Sequence, residues 1–211
     1  MRVHDIEQRS TYWYTLRSGK PTASEFKKLV TSNGEPSKSA SEYAYTLACQ
    51  MYAGTSESEF TTEWMERGKE MESEALATYS FMYDCDPVSV GFVTDNDVKW
   101  GCSPDALIGD DGMAEVKCLK AENHAKAIVR WQDNQTIDPG YIQQTQGQMM
   151  VAERAWCDLI FYHPSLPLLV CRQKADKGFH AKLTTALESV LEERDKILQC
   201  IHTFQEKDIA A

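Results

Sequence analysis

The chain has 211 residues, of which 42% are hydrophobic and 26% charged, and a formal net charge of −10. This length and composition are typical of one water-soluble globular domain, which we expect to span residues 1–211. No apolar run approaches the roughly 18 residues of a membrane span, and the first residues lack the apolar core of a signal peptide, so a cytoplasmic location without membrane contact is expected. The acidic balance excludes a uniformly basic nucleic-acid surface, although a basic groove or a metal site remains compatible with it.

The cysteines are odd in number, widely spaced and without a Cys-x-x-Cys motif. Most have apolar neighbours in the sequence, which favours buried reduced thiols over disulfides or a zinc site. The seven positions are Cys49, Cys85, Cys102, Cys118, Cys157, Cys171 and Cys200.

The first predicted helix spans residues 23–32. Thr22 and Glu25 have the spacing of a capping box, in which the hydroxyl and the carboxylate each cap the other residue's backbone N–H. Arg17 precedes this helix and allows two interpretations. It is either a surface charge or, together with the hydroxyls of Thr22 and Ser24 and the exposed N–H groups of the helix, part of a phosphate site.

Two further helices are predicted over residues 39–52, closed by Gly54, and residues 62–79. In the second of these, apolar residues recur on one side, and Glu72 falls within that apolar stripe. A carboxylate on a buried face needs a partner. Glu72 is therefore either an edge residue whose head reaches water or an acidic group turned toward a functional site.

The next predicted elements are antiparallel strands over residues 88–94, 98–102 and 113–119. Asp105 follows the second strand, directly after Ser103 and Pro104. On the third strand Glu115 and Lys117 point to one face, whereas Ala114 and Val116 point to the other. Two carboxylates and an ammonium can therefore converge, an arrangement suited to a hard divalent cation with a lysine beside it.

Residues 120–138 contain several basic side chains, which form either a solvated helix face or a surface for a DNA backbone. A helix follows over residues 141–154, with Gln144 and Gln148 on its buried side and Gln143 pointing away. These amides either face something polar or are ordinary surface residues. Strands over residues 157–162 and 168–172 and a charged amphipathic helix over residues 181–204 complete the chain.

Five motifs occur in an order that resembles the PD-(D/E)xK nuclease superfamily, and more closely the phage lambda exonuclease branch, also called the YqaJ-type viral recombinases. The likeness runs from about Trp13 to Pro164, and each motif alone is weak. The motifs are Trp13-Tyr14-Thr15-Leu16-Arg17-Ser18-Gly19 with Thr22-Ala23-Ser24-Glu25, Arg67-Gly68-Lys69-Glu70-Met71-Glu72, Ser103-Pro104-Asp105, Glu115-Val116-Lys117, and Gly140-Tyr141-Ile142-Gln143-Gln144-Thr145-Gln146.

This resemblance implies an α/β fold with a mixed central sheet flanked by helices. It also implies a Mg²⁺-dependent, processive exonuclease that digests one strand of duplex DNA from a 5′-phosphorylated end and leaves a 3′ single-stranded tail. Such an enzyme is expected to bind two Mg²⁺ ions per site, with Mn²⁺ as a substitute. It is expected to form a ring-shaped homotrimer, to hand its product to a single-strand annealing protein, and to come from a phage or prophage in a bacterial host.

The resemblance further implies roles for individual residues. The expected metal ligands are Asp105, Glu115, the Val116 carbonyl and, for a second ion, Glu72. Lys117 and Gln144 would position the attacking water. The 5′-phosphate pocket would be formed by Arg17, Ser24 and Ser103, and Met65 would be an apolar wedge at the terminal base pair.

The sequence departs from the family pattern at two basic positions. These align to about Gly34, where Lys38 is the candidate substitute, and to about Asn123, where Lys120 or His124 is. Two other hypotheses remain open. One is an endonuclease of restriction or repair in the same superfamily, and the other is a non-catalytic DNA- or protein-binding module.

Overall fold

A computed structural model describes the backbone of residues 1–54 and 63–209 and the side chains of residues 1–54 and 71–206. The helices are α1 (Thr11–Arg17), α2 (Ala40–Ala53), α3 (Glu63–Tyr83), α4 (Ala121–Asn134), α5 (Ile142–Val151) and α6 (Lys177–Ile209), with short 3-10 helices at Ala23–Lys28 and Pro139–Tyr141. The strands are β1 (Arg2–His4), β2 (Pro87–Val88), β3 (Phe92–Thr94), β4 (Gly101–Cys102), β5 (Ala106–Ile108), β6 (Gly112–Cys118), β7 (Trp156–Tyr162) and β8 (Leu169–Lys174).

The main sheet has five strands in the order β2-β5-β6-β7-β8, and a smaller sheet has the order β1-β3-β4. In the main sheet β6 and β7 are parallel, and the other neighbours are antiparallel. Parallel neighbours need a crossover connection, and here the crossover contains α4 and α5. The predicted α/β fold, with a mixed central sheet flanked by helices, is confirmed.

Helices cover both faces of the main sheet. On one face α3 packs against β6 and β7, where Ala75 and Tyr79 contact a cluster that includes Ala114, Val116 and Ile160. On the other face α5 contacts the 3-10 helix Ala23–Lys28, α6 and β7. The polar residues of β6 therefore emerge on the side of the sheet that α5 covers, between two apolar clusters.

The strand predicted over residues 88–94 is wrong as a single element. Its residues form β2 and β3, which belong to different sheets. The chain changes sheet near Gly91, where an added Cβ would lie only 1.9 Å from the Ile6 carbonyl oxygen. The meander is wrong in the same way, because β4 and β5 also lie in different sheets and β5 was not predicted.

The predicted capping box at Thr22 and Glu25 is also wrong. The element that follows is a 3-10 helix, Ala23–Lys28, and the Thr22 side chain makes no capping hydrogen bond to it. Its hydroxyl accepts a hydrogen bond from Arg17 instead, and Glu25 pairs with Lys28. The helix predicted over residues 39–52 is confirmed as α2, with Gly54 in the left-handed conformation at its end.

All seven cysteines are free thiols, as predicted. Cys102, Cys157 and Cys171 are buried, whereas Cys49 and Cys200 are exposed. In the part of the chain that the structure describes, no helix has the length and apolarity to cross a membrane.

Candidate active site

Strand β6 presents Glu115 and Lys117 on the same face, as the alternation predicted. Lys117 Nζ donates a hydrogen bond of 2.7 Å to Glu115 Oε1. Ala114 and Val116 point to the opposite face and pack in the apolar cluster under α3. The alternation of a strand therefore separates the polar pair from the core residues that hold the strand in place.

Three side chains donate hydrogen bonds to the Glu115 carboxylate, which is only 4% exposed. Lys117 and Gln144 share Oε1, and the Gln144 Nε2 contact is 2.5 Å. Gln148 Nε2 donates to the other oxygen, Oε2, at 2.7 Å. Because a buried polar group needs hydrogen-bonded partners, these three donors satisfy the Glu115 carboxylate inside the protein.

Lys117 lies between two oxygen atoms and an aromatic ring. Its Nζ also donates to Gln144 Oε1 at 3.1 Å and lies 5.7 Å from the centre of the Tyr141 ring. Burial alone would lower the pKa of the Lys117 ammonium, but the negative charge and hydrogen bond of Glu115 raise its pKa overall. The lysine is therefore held as a cation in a fixed position.

Asp105 occupies the point where β5 begins and the ladder to β6 stops. The ladder pairs Ala106 with Ala114 but does not reach Glu115. There Asp105 Oδ2 accepts a hydrogen bond of 2.6 Å from the Val116 N–H. Since the N–H and C=O of one strand residue point to the same side, the Val116 carbonyl faces the same open edge.

The pKa of Asp105 lies well above its ordinary value. Burial is the largest cause, followed by the negative charge of Glu115; the Val116 N–H offsets part of the shift, and the charge of Glu72 adds to it. Asp105 and Glu72 also line one open cavity between the N-terminal segment and α3. The three predicted carboxylates are therefore electrostatic neighbours.

Glu72 is partly exposed and forms an ion pair with Arg9, whose Nη2 lies 3.7 Å from Glu72 Oε1. Arg9 lines the same cavity. Both interpretations of Glu72 therefore apply. Its carboxylate reaches the surface, and it lies beside Asp105 at the candidate site.

The oxygen donors of this site suit a hard divalent cation. Asp105, Glu115 and the Val116 carbonyl are of the right chemical type, and a cation would offset the two largest causes that raise the pKa of Asp105, its burial and the negative charge of Glu115. Within the described side chains, however, no three His, Cys, Asp or Glu groups form a ready-made metal cluster. Glu115 is turned toward its amide and ammonium donors, which place two hydrogen bonds on Oε1 and one on Oε2.

Arg17 forms the second part of the site. Its guanidinium lies 4.0 Å from the centre of the Trp13 ring and 5.6 Å from that of Phe92, and its Nη2 donates to Thr22 Oγ1 at 3.2 Å. Burial lowers the pKa of Arg17. Among the described residues it has no ion-pair partner, so a desolvated cation without a carboxylate lies ready for an anion.

The two serines predicted beside Arg17 are joined to it through other residues. Ser24 Oγ lies 3.4 Å from Thr22 Oγ1. Since Thr22 Oγ1 also accepts the hydrogen bond from Arg17, one hydroxyl connects Ser24 to Arg17. Ser103 Oγ accepts a hydrogen bond of 2.9 Å from Trp13 Nε1 and donates one of 2.8 Å to the Gly91 carbonyl. The Trp13 ring thus links the arginine to the segment that ends in Asp105.

The structure also places the candidates for the missing basic positions. His124 is completely buried, and its Nε2 lies 2.8 Å from the Pro167 carbonyl, so it is not available to bind DNA. Lys120 is exposed at the start of α4. Beside Gly34 the nearby cation is Lys182 of α6, which bonds Glu35 at 2.6 Å. Met65 lies in α3, but its side chain is outside the described residues.

Sequence reasoning did not assign a role to three residues of this site. The Trp13 ring contacts the Arg17 guanidinium, Arg9 pairs with Glu72, and Gln148 donates a hydrogen bond to Glu115. A signal existed for Gln148, because it shares the buried side of its helix with Gln144. Trp13 begins the first of the five motifs, but its contact with Arg17 was not indicated. Arg9 offered no signal, since its contact depends on long-range packing of the N-terminal segment.

Comparison with known proteins gives a consistent assignment. The family model of the YqaJ-like viral recombinase domain matches residues 12–155. Among solved structures, an alkaline exonuclease (LHK-Exo) from Laribacter hongkongensis is 29% identical, with a TM-score of 0.82 over 94% of this chain and 99% of that one. The same figures hold for LHK-Exo in complex with dAMP.

A phage related exonuclease from Haemophilus somnus 129PT shares the fold, with 13% identity and a TM-score of 0.68 over 86% of this chain and 96% of that one. No curated protein matches. Because the family description covers more than half of the chain, the protein belongs to the YqaJ-like viral recombinase family. Its fold and its family together assign it as an enzyme of the exonuclease type.

Proposed function

We propose that this protein is a Mg²⁺-dependent 5′-to-3′ exonuclease that digests one strand of linear duplex DNA from a 5′-phosphorylated end. The product would be a duplex with a 3′ single-stranded tail, suited to recombination by strand annealing. The observation that carries the end specificity is Arg17, a partly buried cation on an aromatic ring with hydroxyl neighbours and no ion-pair partner among the described residues.

The 5′-phosphate would lie between the Arg17 guanidinium and the hydroxyls of Thr22 and Ser24. Charge-assisted hydrogen bonds from a preorganised guanidinium are among the stronger contacts that a protein offers to phosphate. Arg17 connects through Trp13 and Ser103 to the segment of Asp105. An anchored strand end would therefore present its first phosphodiester bond to the carboxylate group.

The chain's own residues have separate tasks at that bond. Lys117, fixed by Glu115 and Gln144, orients a water molecule and offsets negative charge on the phosphate as it develops. Gln144 forms hydrogen bonds with both Lys117 and Glu115 and keeps the two side chains in place. Asp105, Glu115 and the Val116 carbonyl would hold one Mg²⁺ and Glu72 would help to hold a second, with Mn²⁺ as a substitute. Bound divalent cations stabilise the attacking and leaving oxygens of an in-line displacement.

The test compares linear duplexes with a 5′-phosphate or a 5′-hydroxyl, each labelled at one strand terminus, in Mg²⁺ and in chelator. Release of 5′-terminal nucleotides from the phosphorylated duplex, dependent on a divalent cation, is expected. Arg17→Ala should reduce the preference for the phosphorylated end by about tenfold or more, whereas Arg2→Ala, at an exposed arginine, should retain it.

Cleavage of closed circular DNA by the pure protein would instead support the endonuclease of restriction or repair. DNA binding without any hydrolysis would support the non-catalytic module. The complete set of Glu72, Asp105, Glu115 and Lys117 argues against that module.

The proposal extends to the assembly and the setting of the enzyme. A ring-shaped homotrimer around the duplex would keep the enzyme on its substrate between steps, and a single-strand annealing protein would take up the exposed tail. The setting would be the cytoplasm of a bacterial host that carries a phage or prophage. The family, a viral recombinase domain, supports the role in recombination and the phage setting.

A further inference from the structure

A cavity of about 300 Å³ is lined by Tyr141, whose ring lies 5.7 Å from Lys117 Nζ. One face of α4 forms a wall of it, through Asn123, Lys126 and Arg130, which recur three or four residues apart and so share one side of the helix. Its floor contains Ile137 and Phe161, which are buried. Cavities of this size with an apolar floor and a few polar groups suit small organic ligands.

The ring of Tyr141 lies between this cavity and the catalytic Lys117. The ring lines the cavity, lies 5.7 Å from Lys117 Nζ, and packs edge-on against Phe161 with 5.5 Å between the ring centres. An aromatic surface that is half-buried and directly beside the catalytic group can support a nucleobase by stacking.

The charges at the cavity favour an anion. Lys126 is exposed and has no ion-pair partner among the described side chains. Arg130 pairs only loosely with Asp138, at 3.7 Å. Two cations against one carboxylate on a chain of net charge −10 make this one of its locally basic sites, which suits a phosphate diester.

We propose that this cavity binds the nucleotide on the 3′ side of the scissile phosphate, with the base against Tyr141 and the next backbone phosphate beside Lys126. The inference rests on the proposed function. Contacts lead from Arg17 through Trp13 and Ser103 to Asp105, and from Lys117 through Tyr141 into the cavity. A strand anchored by its 5′-phosphate at Arg17 and cut beside Lys117 would then pass the Tyr141 ring and meet the cavity.

The experiment is a double-mutant cycle between the protein and the DNA. The first phosphate after the scissile one is replaced by a neutral methylphosphonate in a 5′-phosphorylated duplex, and the first-turnover rate at subsaturating DNA is compared with that of the unmodified duplex. For the parental protein the neutral linkage should lower the rate about three- to fivefold, as expected for one lost cation–phosphate contact. Lys126→Ala should lower the rate on unmodified DNA by the same factor and be insensitive to the modification.

The matched control is Lys196→Ala, which removes an exposed lysine from α6 and should remain as sensitive as the parental protein. A second pair of variants tests the cavity itself. Ala127→Phe fills the cavity and should slow cleavage, whereas Ala125→Phe, on an exposed position of the same helix, should not.

The outcomes separate this inference from the proposed function. If the parental protein releases nucleotides but ignores the methylphosphonate, or if Lys126→Ala keeps the full sensitivity, the assigned site is wrong. Equal rates for the two phenylalanine variants, both folded by circular dichroism, would also overturn it. If the parental protein releases no nucleotides from any duplex, it is the proposed function that fails.

Discussion

Lys117 is held between a carboxylate and an amide at hydrogen-bonding distance from both, and its removal would take away the cation that we propose to orient the water. Lys117→Ala should therefore reduce cleavage by about a thousandfold or more. DNA binding should weaken by less than about tenfold, because one cation contributes only a small part of phosphate affinity. Single-turnover cleavage and fluorescence anisotropy on the same 5′-phosphorylated duplex measure the two quantities.

Lys196→Ala serves as the control for the loss of a lysine, since Lys196 is exposed on α6. Parental cleavage by Lys117→Ala would show that the role assigned to this ammonium is mistaken. An equal loss of cleavage and of binding would instead make Lys117 a DNA-binding residue.

At the same scale, alternation along β6 was sufficient to predict the faces of Glu115 and Lys117, because the period of a strand is fixed by its backbone. Partners from distant parts of the chain were harder to predict. Gln143 was predicted to point away from the site, and it does so, yet it is buried rather than solvated. Neighbouring elements cover α5 on more than one side, so its angular pattern does not separate core from solvent.

Asp105, at the junction of β5 and β6, makes the stability of the folded protein depend on pH. Its folded-state pKa is raised by burial and by neighbouring carboxylates, so protonated Asp105 favours the folded state. This contribution is complete below the ordinary pKa of an aspartate and is lost as the pH rises through the raised value. Without divalent cations, Asp105→Asn should therefore be more stable than the parental protein near neutral and alkaline pH, with the difference shrinking toward acid pH.

Thermal unfolding in chelator across a pH series measures this difference. Asp110→Asn, at an exposed turn position, should follow the parental curve. A parental advantage over Asp105→Asn at alkaline pH would show that the Asp105 carboxylate is stabilised by its surroundings, contrary to the cause given for its pKa.

A second element-scale contact joins β7, β8 and α3 through the buried carboxylate of Asp158. Arg172 donates to it from two nitrogens, at 2.8 and 2.7 Å, and the Tyr79 hydroxyl donates at 2.6 Å. Arg172→Met keeps a stem beside Trp156 but leaves a buried negative charge, and should lower the free energy of unfolding by about 3 kcal/mol. Denaturant unfolding provides the measurement.

Lys182→Met is the comparison, since the Lys182–Glu35 pair has a similar distance of 2.6 Å but both side chains are at least half exposed. Its cost should be below about 1 kcal/mol. Similar losses for the two variants would mean that burial does not determine the strength of these ion pairs.

Elements defined by their own periodicity, such as α2, β6, β7 and α6, were predicted close to their observed bounds. Elements defined by contacts with distant segments were not. The residues from Pro87 to Thr94 are divided between two sheets because the chain passes against the Ile6 carbonyl at Gly91. Thr22 accepts a hydrogen bond from Arg17 and does not cap its helix, so the contact with Arg17 overrides the local capping motif.

For the whole molecule, the fold separates the residues proposed to cut from the residues proposed to bind the strand end. The carboxylates and Lys117 lie where β5 and β6 diverge, whereas Arg17 belongs to the N-terminal segment and reaches them through Trp13. The sequence motifs were sufficient to bring these groups into one hypothesis. The geometry adds the contacts that connect them.

A homotrimer is the prediction that belongs to this largest scale. Light scattering of the pure protein should give three times the chain mass of 23.9 kDa, which is about 72 kDa. If the ring holds the enzyme on DNA, digestion of a long duplex should continue after an excess of unlabelled competitor duplex is added. Dilution to concentrations at which the mass falls to that of one chain should abolish this resistance to the competitor. Competitor-resistant digestion by a species of single-chain mass would contradict the trimer as the cause of processivity.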